Sequence, residues 1–396
     1  MPRQRLPEGW RICRVDLVAT RGSGHTPKKD VPRYWNGDIA WLSLKDLPAL
    51  DRVYIGSTRE RISEEGIENS SAVLHPPGVV VLSRDAAVGK SAVTTTPMAV
   101  SQHFLTWECG PQIVNLYLYY WFQFIKSELK RIASGSTIKT IGLPYFRKLE
   151  VLLPSVPEQE SIATTLRQWD GAITVVEGLL GAKRGFKRSL VQDLLTGKRR
   201  FREFEVDARE TRSLGELLRE SRVPCSNGAT ARRLTVKLYG RGVVASTNPR
   251  RGSSGTQYYR RSAGQFIYSK LDFLNGACGI VPPELDGFET TLDLPCFEVS
   301  PELDVRWLAA LASQPWFYAR QIGLAVGGRK AKRLNSHAFL KIKVQLPRLP
   351  EQRKIADFIG SLGVEIELLE RLHIALDGQR RGVMELLLAG QIRIPA

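Results

Sequence analysis

Two ten-residue stretches of this chain, 193 residues apart, are identical at six positions. Residues 153–162 read LPSVPEQESI, and residues 346–355 read LPRLPEQRKI. The match continues without a gap over residues 146–201 and 339–394, where 20 of 56 positions are identical. A repeat this long is not a solenoid unit, and the chain has two copies of it, so the sequence predicts a duplicated protein with two related halves.

Length and charge bound the class of protein. A chain of 396 residues with 43% hydrophobic residues can fill at least two cores. Its formal net charge is +17, and the charged residues are spread along the chain without a polybasic tail. Such a balance favours nucleic acid or another polyanion as partner, with a basic protein that binds neither as the alternative.

Cysteine, histidine and apolar content argue against several other classes. The five cysteines lie far apart and the five histidines are scattered, so we expect neither a disulfide framework nor a metal site. The chain begins with the polar stretch MPRQRLPEGW, and we find no apolar run that approaches 18 residues. The sequence therefore predicts no membrane span. A reducing, cytoplasmic setting is expected.

Each repeat copy carries the signals of a long helix. Pro157 and Pro350 suit the first helical position, and Glu158 and Glu351 place negative charge in the first turn, where the helix dipole favours it. Apolar residues then recur at steps of four and three, which is the pattern of a helix-pairing seam. The seam residues are Ile162, Leu166, Trp169, Ile173, Val176, Leu180, Leu190, Leu194, Ile355, Ile359, Leu362, Ile366, Leu369, Leu376, Val383 and Leu387.

Two seams in the same phase favour pairing with each other over separate packing of each helix on its own half. We expect an antiparallel pair with the two variable regions at opposite ends. Glycines predict a break near Asp170-Gly171, which leaves a helix of about 28 residues, or about 42 Å. That length is on the scale of one turn of duplex DNA, about 34–36 Å. His373 interrupts the seam and is expected to be a tolerated seam residue and not a ligand.

The regions before the helices, 1–155 and 201–345, show little mutual similarity, and each has a mixed α/β pattern. Both contain basic residues interleaved with aromatic residues and glycines, which can neutralise phosphates and contact base edges. Solvated loops are the alternative. The candidate DNA-binding residues outside the turns described next are Lys28, Lys29, Arg33, Tyr34, Trp35, Lys45, Arg84, Lys90, Arg241, Arg250, Arg251, Tyr258, Tyr259, Arg260 and Lys270.

A glycine-then-basic turn precedes the repeat in both halves. Residues 134–142 read SGSTIKTIG and residues 327–335 read GGRKAKRLN, so Lys139 and Lys332 stand at the repeat offset. These turns are the best candidates for DNA-facing elements, and glycine turns with surface lysines are the alternative. The remaining candidate residues lie in the second turn: Arg329, Lys330 and Arg333.

Motifs for catalysis are not convincing. Gly89-Lys90-Ser91 lacks the upstream glycine of a phosphate loop, and β-branched residues follow where a helix should start. Glu128 and Lys130 are a common surface triplet without the further carboxylates of a nuclease. The sequence predicts a non-enzymatic DNA reader and scaffold. A DNA methyltransferase or nuclease with an unrecognised active site is the main alternative, and a coiled-coil adaptor for another polyanion is a third.

The doubled LP-x-x-PEQ motif and its trailing helix resemble the specificity subunit of type I restriction–modification systems, over essentially the whole chain. Segments such as LYGRGV (238–243) and QFIYSKLD (265–272) resemble that family's target recognition domains. The resemblance implies an α/β (α+β) fold, pseudo-twofold duplicated, with two mixed α/β target recognition domains and a two-helix antiparallel coiled-coil spacer. The expected domains are 1–155 and 201–347, and the expected spacer segments are 156–200 and 348–396.

The same resemblance implies the partners. They would be double-stranded DNA with a split recognition sequence, two methyltransferase subunits docked on the spacer and, through them, restriction (translocase) subunits. S-adenosylmethionine would be bound by the methyltransferase subunits, and this chain is expected to bind no cofactor.

Overall fold

The chain divides into two compact units that share both long helices of the repeat. A computed structural model describes residues 6–136, 138–248, 253–328 and 332–394. Unit 1 comprises residues 1–179 and 370–396, and unit 2 comprises residues 180–369. Each unit therefore holds one variable region together with half of each long helix.

Unit 1 is mixed α/β, and its strands and short helices precede the first long helix in the chain. Its strands are β1 (Arg11–Arg14), β2 (Ala19–Ser23), β3 (Trp35–Leu42), β4 (Tyr54–Ile55), β5 (Glu60–Ile62), β6 (Val80–Ser83), β7 (Ser91–Thr94), β8 (Met98–Val100), β9 (Phe104–Cys109) and β10 (Glu150–Leu153). Its short helices are α1 (Glu64–Glu68), α2 (Asn115–Phe124), α3 (Lys126–Ile132) and α4 (Leu143–Phe146). The long helix α5 (Val156–Thr196) follows.

The main sheet of unit 1 has the strand order β2-β9-β6-β7-β4. Every residue of β6 and β7 is buried, which fits their nearly continuous apolar and small-residue sequences. Helix α2 packs on this sheet with Tyr117, Tyr120 and Trp121 in the core. A second sheet has the order β5-β3-β8, and β1 pairs antiparallel with β10 immediately before α5.

Unit 2 is also mixed α/β. Its strands are β11 (Glu210–Ser213), β12 (Leu218–Ser221), β13 (Val223–Asn227), β14 (Leu234–Val236), β15 (Val243–Ala245), β16 (Gln257–Arg260), β17 (Phe266–Tyr268), β18 (Cys278–Ile280), β19 (Glu289–Thr290), β20 (Cys296–Val299) and β21 (Lys343–Leu346). Its helices are α6 (Leu214–Leu217), α7 (Val305–Ala312), α8 (Pro315–Ala319) and α9 (Ser336–Leu340), before the long helix α10 (Leu349–Leu388).

The two variable regions share a framework that their sequences do not reveal. The main sheet of unit 2 has the order β12-β20-β17-β18, which corresponds strand by strand to β2-β9-β6-β7 of unit 1. Likewise β11 pairs antiparallel with β21 just before α10, as β1 pairs with β10 before α5. The units differ in their smaller sheets, which in unit 2 are β13-β16-β19 and β14-β15. The duplication therefore extends into the variable regions.

Helix α5 is longer than the sequence predicted, and α10 has nearly the same length. They contain 41 and 40 residues, or about 60 Å each at 1.5 Å per residue. The break expected near Asp170-Gly171 is wrong, because α5 is continuous through both residues. The physical reason is that the cost of glycine in a helix, about 1 kcal/mol each, is small beside the apolar burial along the same helix.

Ion pairs within each unit show that the two helices run antiparallel, as predicted. In unit 1, Asp170 contacts Arg380 at 3.0 Å, while the later residue Glu177 contacts the earlier residue His373 at 3.1 Å. In unit 2, the Lys183 ammonium lies 2.6 Å from Glu365. The interaction of His373 with Glu177 is a cross-helix contact, in keeping with a seam position.

The residues assigned to the seam face inward to different degrees. Ile162, Leu166 and Leu387 pack in the core of unit 1, and Leu194 and Ile355 pack in the core of unit 2. The other seam residues are buried or half-buried: Trp169, Ile173, Val176, Leu180, Leu190, Ile359, Leu362, Ile366, Leu369, Leu376 and Val383.

The glutamate of each Pro-Glu-Gln motif binds an arginine just past the end of the other long helix. In unit 1, Glu158 is bound by Arg393 at 2.6 Å and by the Trp10 indole N–H at 3.1 Å. In unit 2, Glu351 is bound by Arg200 at 2.6 Å and by Arg209 at 2.7 Å. Arg200 and Arg393 stand at the repeat offset of 193. The motif therefore ties the beginning of one helix to the end of the other, once in each unit.

The glutamine of each motif joins two backbone segments through three hydrogen bonds. The Gln159 amide oxygen accepts from the Val114 N–H at 2.9 Å, and its amide nitrogen donates to the Gln112 and Pro154 carbonyls at 3.0 Å. Gln352 makes the same three contacts in unit 2, with Asp304 N–H and the carbonyls of Glu302 and Pro347. Both glutamines are fully buried.

In the part of the chain that the structure describes, we find no helix with an apolar stretch long enough to traverse a lipid bilayer.

Candidate nucleic-acid interface

The glycine-basic turn of unit 1 lies against the end of strand β6. The Ile141 N–H donates to the Arg84 carbonyl at 3.1 Å, and the Ala86 N–H donates to the Lys139 carbonyl at 3.0 Å. Ser134 and Thr140 close the turn as an antiparallel bridge. The backbone thus brings exposed Lys139 close in the fold to half-buried Arg84.

Unit 2 places its turn at the same point of the framework. The Leu334 N–H donates to the Lys270 carbonyl at 2.8 Å, and Val326 and Arg333 close the turn as an antiparallel bridge. Leu334 and Ile141 are related by the repeat offset, and Lys270 follows β17 as Arg84 follows β6. The structure therefore brings Lys270 together with Lys332 and Arg333. The candidates Arg329 and Lys330 lie outside the described residues.

The arginines at the two turns, Arg84 beside the first and Arg333 in the second, have different partners. Arg84 is half-buried beside Asp85, with its Nε 3.5 Å from the carboxylate. Arg333 is exposed and lies 3.0 Å from exposed Asp293. Burial raises the pKa of Asp85, but hydrogen bonds from Thr140 and His103 outweigh it and hold the pKa below its ordinary value. Sequence reasoning missed Asp85, His103 and Asp293, and no motif marks them.

The aromatic-basic cluster of residues 28–45 is separate from the turn contacts and partly self-paired. Exposed Arg33 lies 2.8 Å from Glu65, and exposed Lys45 lies 2.7 Å from Glu60. Tyr34 is 7% exposed, so its side chain packs inside unit 1 instead of facing a ligand.

Two lysines and a tryptophan of the same cluster stay accessible. Lys28 and Lys29 are exposed, and half-buried Trp35 donates its indole N–H to the Lys28 carbonyl at 3.0 Å. Trp35 also packs edge-on against Trp41 with ring centroids 5.0 Å apart. This loop is therefore ordered by its aromatic residues and presents its lysines outward.

The remaining candidates divide between surface and interior. Arg241 is exposed in the β14–β15 loop, and Arg260 is exposed at the end of β16. Lys90 is turned inward, because its ammonium donates to the Leu47 carbonyl at 2.7 Å. Tyr258 is 8% exposed and packs inside unit 2, while Tyr259 is half-buried. Arg250 and Arg251 lie outside the described residues.

Arg261 is a buried cation that the sequence analysis did not single out. It is fully buried and donates to the Thr290 hydroxyl at 2.6 Å and to the Ser221 and Leu294 carbonyls. Burial lowers its pKa. These contacts fix the end of strand β16, so Arg261 supports the exposed neighbour Arg260 from inside the unit.

Exposed apolar side chains lie on the long helices in both units. We call apolar patch 1 the unit 1 residues Val175, Leu179 and Leu372, which are 63%, 47% and 45% exposed. We call apolar patch 2 the unit 2 residues Phe186, Val364 and Leu368, which are 51%, 56% and 58% exposed. Val175 of apolar patch 1 and Leu368 of apolar patch 2 stand at the repeat offset, whereas Leu179 and Leu372, which also stand at that offset, both lie in apolar patch 1. Because contiguous exposed apolar surface marks protein interaction sites, these helix residues are candidates for one.

Residues considered for catalysis do not form a known site. Ser91 begins strand β7, whereas a phosphate loop leads into a helix. Glu128 and Lys130 lie on the short helix α3. Within the described ranges, no group of three or more His, Cys, Asp or Glu side chains could hold a metal ion.

Three similar proteins are each named as the specificity subunit of a type I restriction enzyme. The chain is 30% identical to the Type I restriction enzyme MjaIX specificity subunit of Methanocaldococcus jannaschii, over 43% of this chain and 40% of that protein. It is 21% identical to the MjaVIII specificity subunit of the same organism, over 98% of this chain and 94% of that protein. It is 27% identical to the Type I restriction enzyme EcoR124I/EcoR124II specificity subunit of Escherichia coli, over 39% of this chain and 40% of that protein. Two of these three matches thus span about two fifths of the relative.

Solved structures share the fold over nearly the full chain. The type I restriction–modification S subunit from M. genitalium gives a TM-score of 0.57 at 15% identity, with 98% of both chains covered. The HsdS subunit from Thermoanaerobacter tengcongensis gives 0.55 at 15% identity, with 99% of both chains covered. These likenesses support the duplicated α/β fold with a long-helix spacer.

The repeat, the shared framework and the paired helices agree with a match to a protein family. Residues 7–180 and 303–377, well over half of the chain, match the family described as Type I restriction modification DNA specificity domain. The chain belongs to this family of type I restriction–modification specificity subunits.

Proposed function

We propose that this chain reads a bipartite double-stranded DNA sequence, one half-site with each unit, and carries two methyltransferase subunits on its long helices. Through those subunits it also recruits restriction subunits. One observation carries the DNA half of the proposal. A basic turn is fixed at the same place on the same strand framework in both units, by Ile141 to Arg84 and by Leu334 to Lys270.

The chemistry of the turns suits the edges and backbone of DNA. Lysine binds phosphates as a point charge and arginine binds them through a planar fork of donors, and both donate to guanine in the major groove. The Lys139 carbonyl accepts from the Ala86 N–H, and Arg333 and Leu334, which follow Lys332, are bonded to Val326 and Lys270, so little backbone ordering is needed on binding. The net charge of +17 adds a long-range attraction to DNA.

The apolar patches support the scaffolding role. A duplicated chain offers two equivalent surfaces, so two copies of one partner can dock. Apolar patch 1 and apolar patch 2 place exposed apolar side chains on the long helices of each unit, with Val175 and Leu368 as repeat equivalents, and these side chains are too exposed to serve the cores. Methyltransferase subunits are the partners that the family implies.

We also propose that the chain is not itself an enzyme. S-adenosylmethionine is then bound by the methyltransferase subunits and not by this chain. The alternative, a methyltransferase or nuclease with an unrecognised site, requires that the isolated chain modify or cut DNA. Purified chain incubated with duplex DNA and S-adenosylmethionine is expected to transfer no methyl groups.

The decisive experiment maps DNA methylation in the host genome with and without this gene, and with single-lysine variants. Deletion is expected to abolish methylation of one bipartite sequence. Lys139→Ala is expected to relax base choice in one half-site, and Lys332→Ala in the other. Lys198→Ala removes an equally positive side chain that is 79% exposed on the spacer side and is the matched control. If both turn variants alter the same half-site, or deletion changes nothing, the proposal is wrong.

A further inference from the structure

Asp85 forms a buried junction behind the basic turn of unit 1. It is 8% exposed and accepts a hydrogen bond from the Thr140 hydroxyl. Its other carboxylate oxygen lies 2.9 Å from His103 Nδ1, and Arg84 flanks it. The carboxylate therefore joins the end of β6, the residue preceding β9 and the turn.

Unit 2 has the same backbone arrangement with a different side-chain anchor. The Lys270 N–H donates to the Asp293 carbonyl at 2.9 Å, as the Arg84 N–H donates to the His103 carbonyl at 3.0 Å. Asp293 therefore stands where unit 1 has His103. Its carboxylate pairs with Arg333, which stands at the repeat position of Thr140.

The two anchors differ in their surroundings. The Asp293 and Arg333 side chains are 63% and 54% exposed, so water screens their attraction. The Asp85 side chain is 12% exposed, and a hydrogen bond to a buried charge is stronger than one in water. The turn of unit 1 is thus held by a buried side-chain bond, and the turn of unit 2 is held mainly by its backbone.

We propose that Asp85, through Thr140, is the positioning residue that sets how strictly unit 1 discriminates the bases of its half-site. The inference rests on the proposed function, because it takes the turns to be the DNA-reading elements. A turn that keeps one conformation presents Lys139 at a fixed distance from a base edge. A turn released from Asp85 samples several positions and accepts more sequences, while its charge still attracts phosphates.

The test uses the full chain assembled with its methyltransferase subunits and measures methyl transfer to duplexes carrying the recognised sequence or one altered base in either half-site. Thr140→Val keeps the side-chain shape and removes the hydroxyl, whereas Thr140→Ser keeps the hydroxyl. We expect Thr140→Val to lower discrimination about 10-fold in one half-site. The other half-site is expected to be unchanged, and Thr140→Ser is expected to discriminate like the wild type.

Asp293→Asn is the matched variant in unit 2, since it removes the exposed ion pair and leaves Arg333 in place. It is expected to change discrimination by less than about 2-fold. Equal losses from Thr140→Val and Asp293→Asn would overturn the inference. So would an equal loss from Thr140→Val and Thr140→Ser, since side-chain bulk would then be responsible.

Lys139→Ala separates this inference from the proposed function. If Lys139→Ala relaxes one half-site but Thr140→Val changes neither, the turn reads DNA and positioning by Asp85 is wrong. If Lys139→Ala also changes neither half-site, the turn is not a reading element and both proposals are wrong. Thermal melting of each variant checks folding, because loss of discrimination without a lowered melting temperature is the result that a purely structural role would not give.

Discussion

Replacing Glu351 by glutamine removes the carboxylate that binds two arginines, and the structure sets the expected size of the effect. The Glu351 side chain is completely buried, and the side chains of Arg200 and Arg209 are 14% and 8% exposed. Removing one partner from a buried ion pair costs about 3–5 kcal/mol, because a buried charge is left without its partner. Glutamine keeps the shape and one acceptor oxygen, so we expect Glu351→Gln to lower the local free energy of unfolding by about 3 kcal/mol, at the lower end of that range.

Glu158→Gln is the matched control at the equivalent position of unit 1. There a single arginine, Arg393, is 47% exposed, and the second donor is the neutral indole of Trp10. Water can solvate the released guanidinium, so the expected cost is smaller, about 1.5 kcal/mol. The comparison therefore tests burial and charge with the same substitution at two repeat-related positions.

Hydrogen exchange measured by mass spectrometry gives the local free energy that the two substitutions change. A loss of about 3 kcal/mol corresponds to about 150-fold faster exchange in peptides from the beginning of α10, at 1.36 kcal/mol per tenfold change. Peptides from the beginning of α5 are expected to change little in Glu351→Gln. Similar effects of Glu351→Gln and Glu158→Gln, or less than about 1 kcal/mol for Glu351→Gln, would refute the reasoning.

The remaining predictions concern acid stability, the helices and the docking surface. Burial alone raises the pKa of Glu351, but the bonds from Arg200 and Arg209 outweigh it and lower the pKa below 4.5. Its contribution to stability is therefore present above pH 4.5 and lost as the pH falls through the lowered pKa, so Glu351→Gln should flatten a urea-midpoint titration in that acid range. Gly178→Ala should raise the free energy of unfolding by about 1 kcal/mol, because a Cβ there meets nothing within 4 Å, and an unchanged or lower urea midpoint would contradict this. Leu179→Asp should weaken binding of methyltransferase subunits in a calorimetric titration while leaving the melting temperature unchanged, and unaltered binding would argue against apolar patch 1 as a docking site.

The repeat carried the larger part of what could be predicted. The spacing of Ile162, Leu166 and Ile173 predicted a long helix, and the second copy at the same phase predicted an antiparallel partner. Both predictions are confirmed by the fold. Helix length was underestimated, because glycine propensity was given more weight at Gly171 than the burial on the opposite face of the same helix.

The candidate interface was less predictable, since its residues depend on contacts between distant segments. The interleaving of basic and aromatic residues marked Tyr34 and Tyr258 as DNA-binding candidates, but only the packing shows that both are buried. Asp85 is one of many isolated aspartates in the sequence, and its place behind the turn depends on the approach of residues 103 and 140. The common strand order of the two variable regions is likewise invisible without backbone pairing, because nearly all of their side chains differ.

The buried glutamines explain why one residue type stands at the third position of both Pro-Glu-Gln motifs. Each amide satisfies one N–H and two carbonyl groups at once, for example Val114 N–H with the Gln112 and Pro154 carbonyls around Gln159. Glutamate has the same size but would turn a second oxygen toward those two carbonyls. Methionine would leave all three backbone groups buried without a hydrogen bond. Neither a charged nor an apolar residue of the same size can therefore replace glutamine here. The junction between each unit's variable region and its long helix requires a carboxamide.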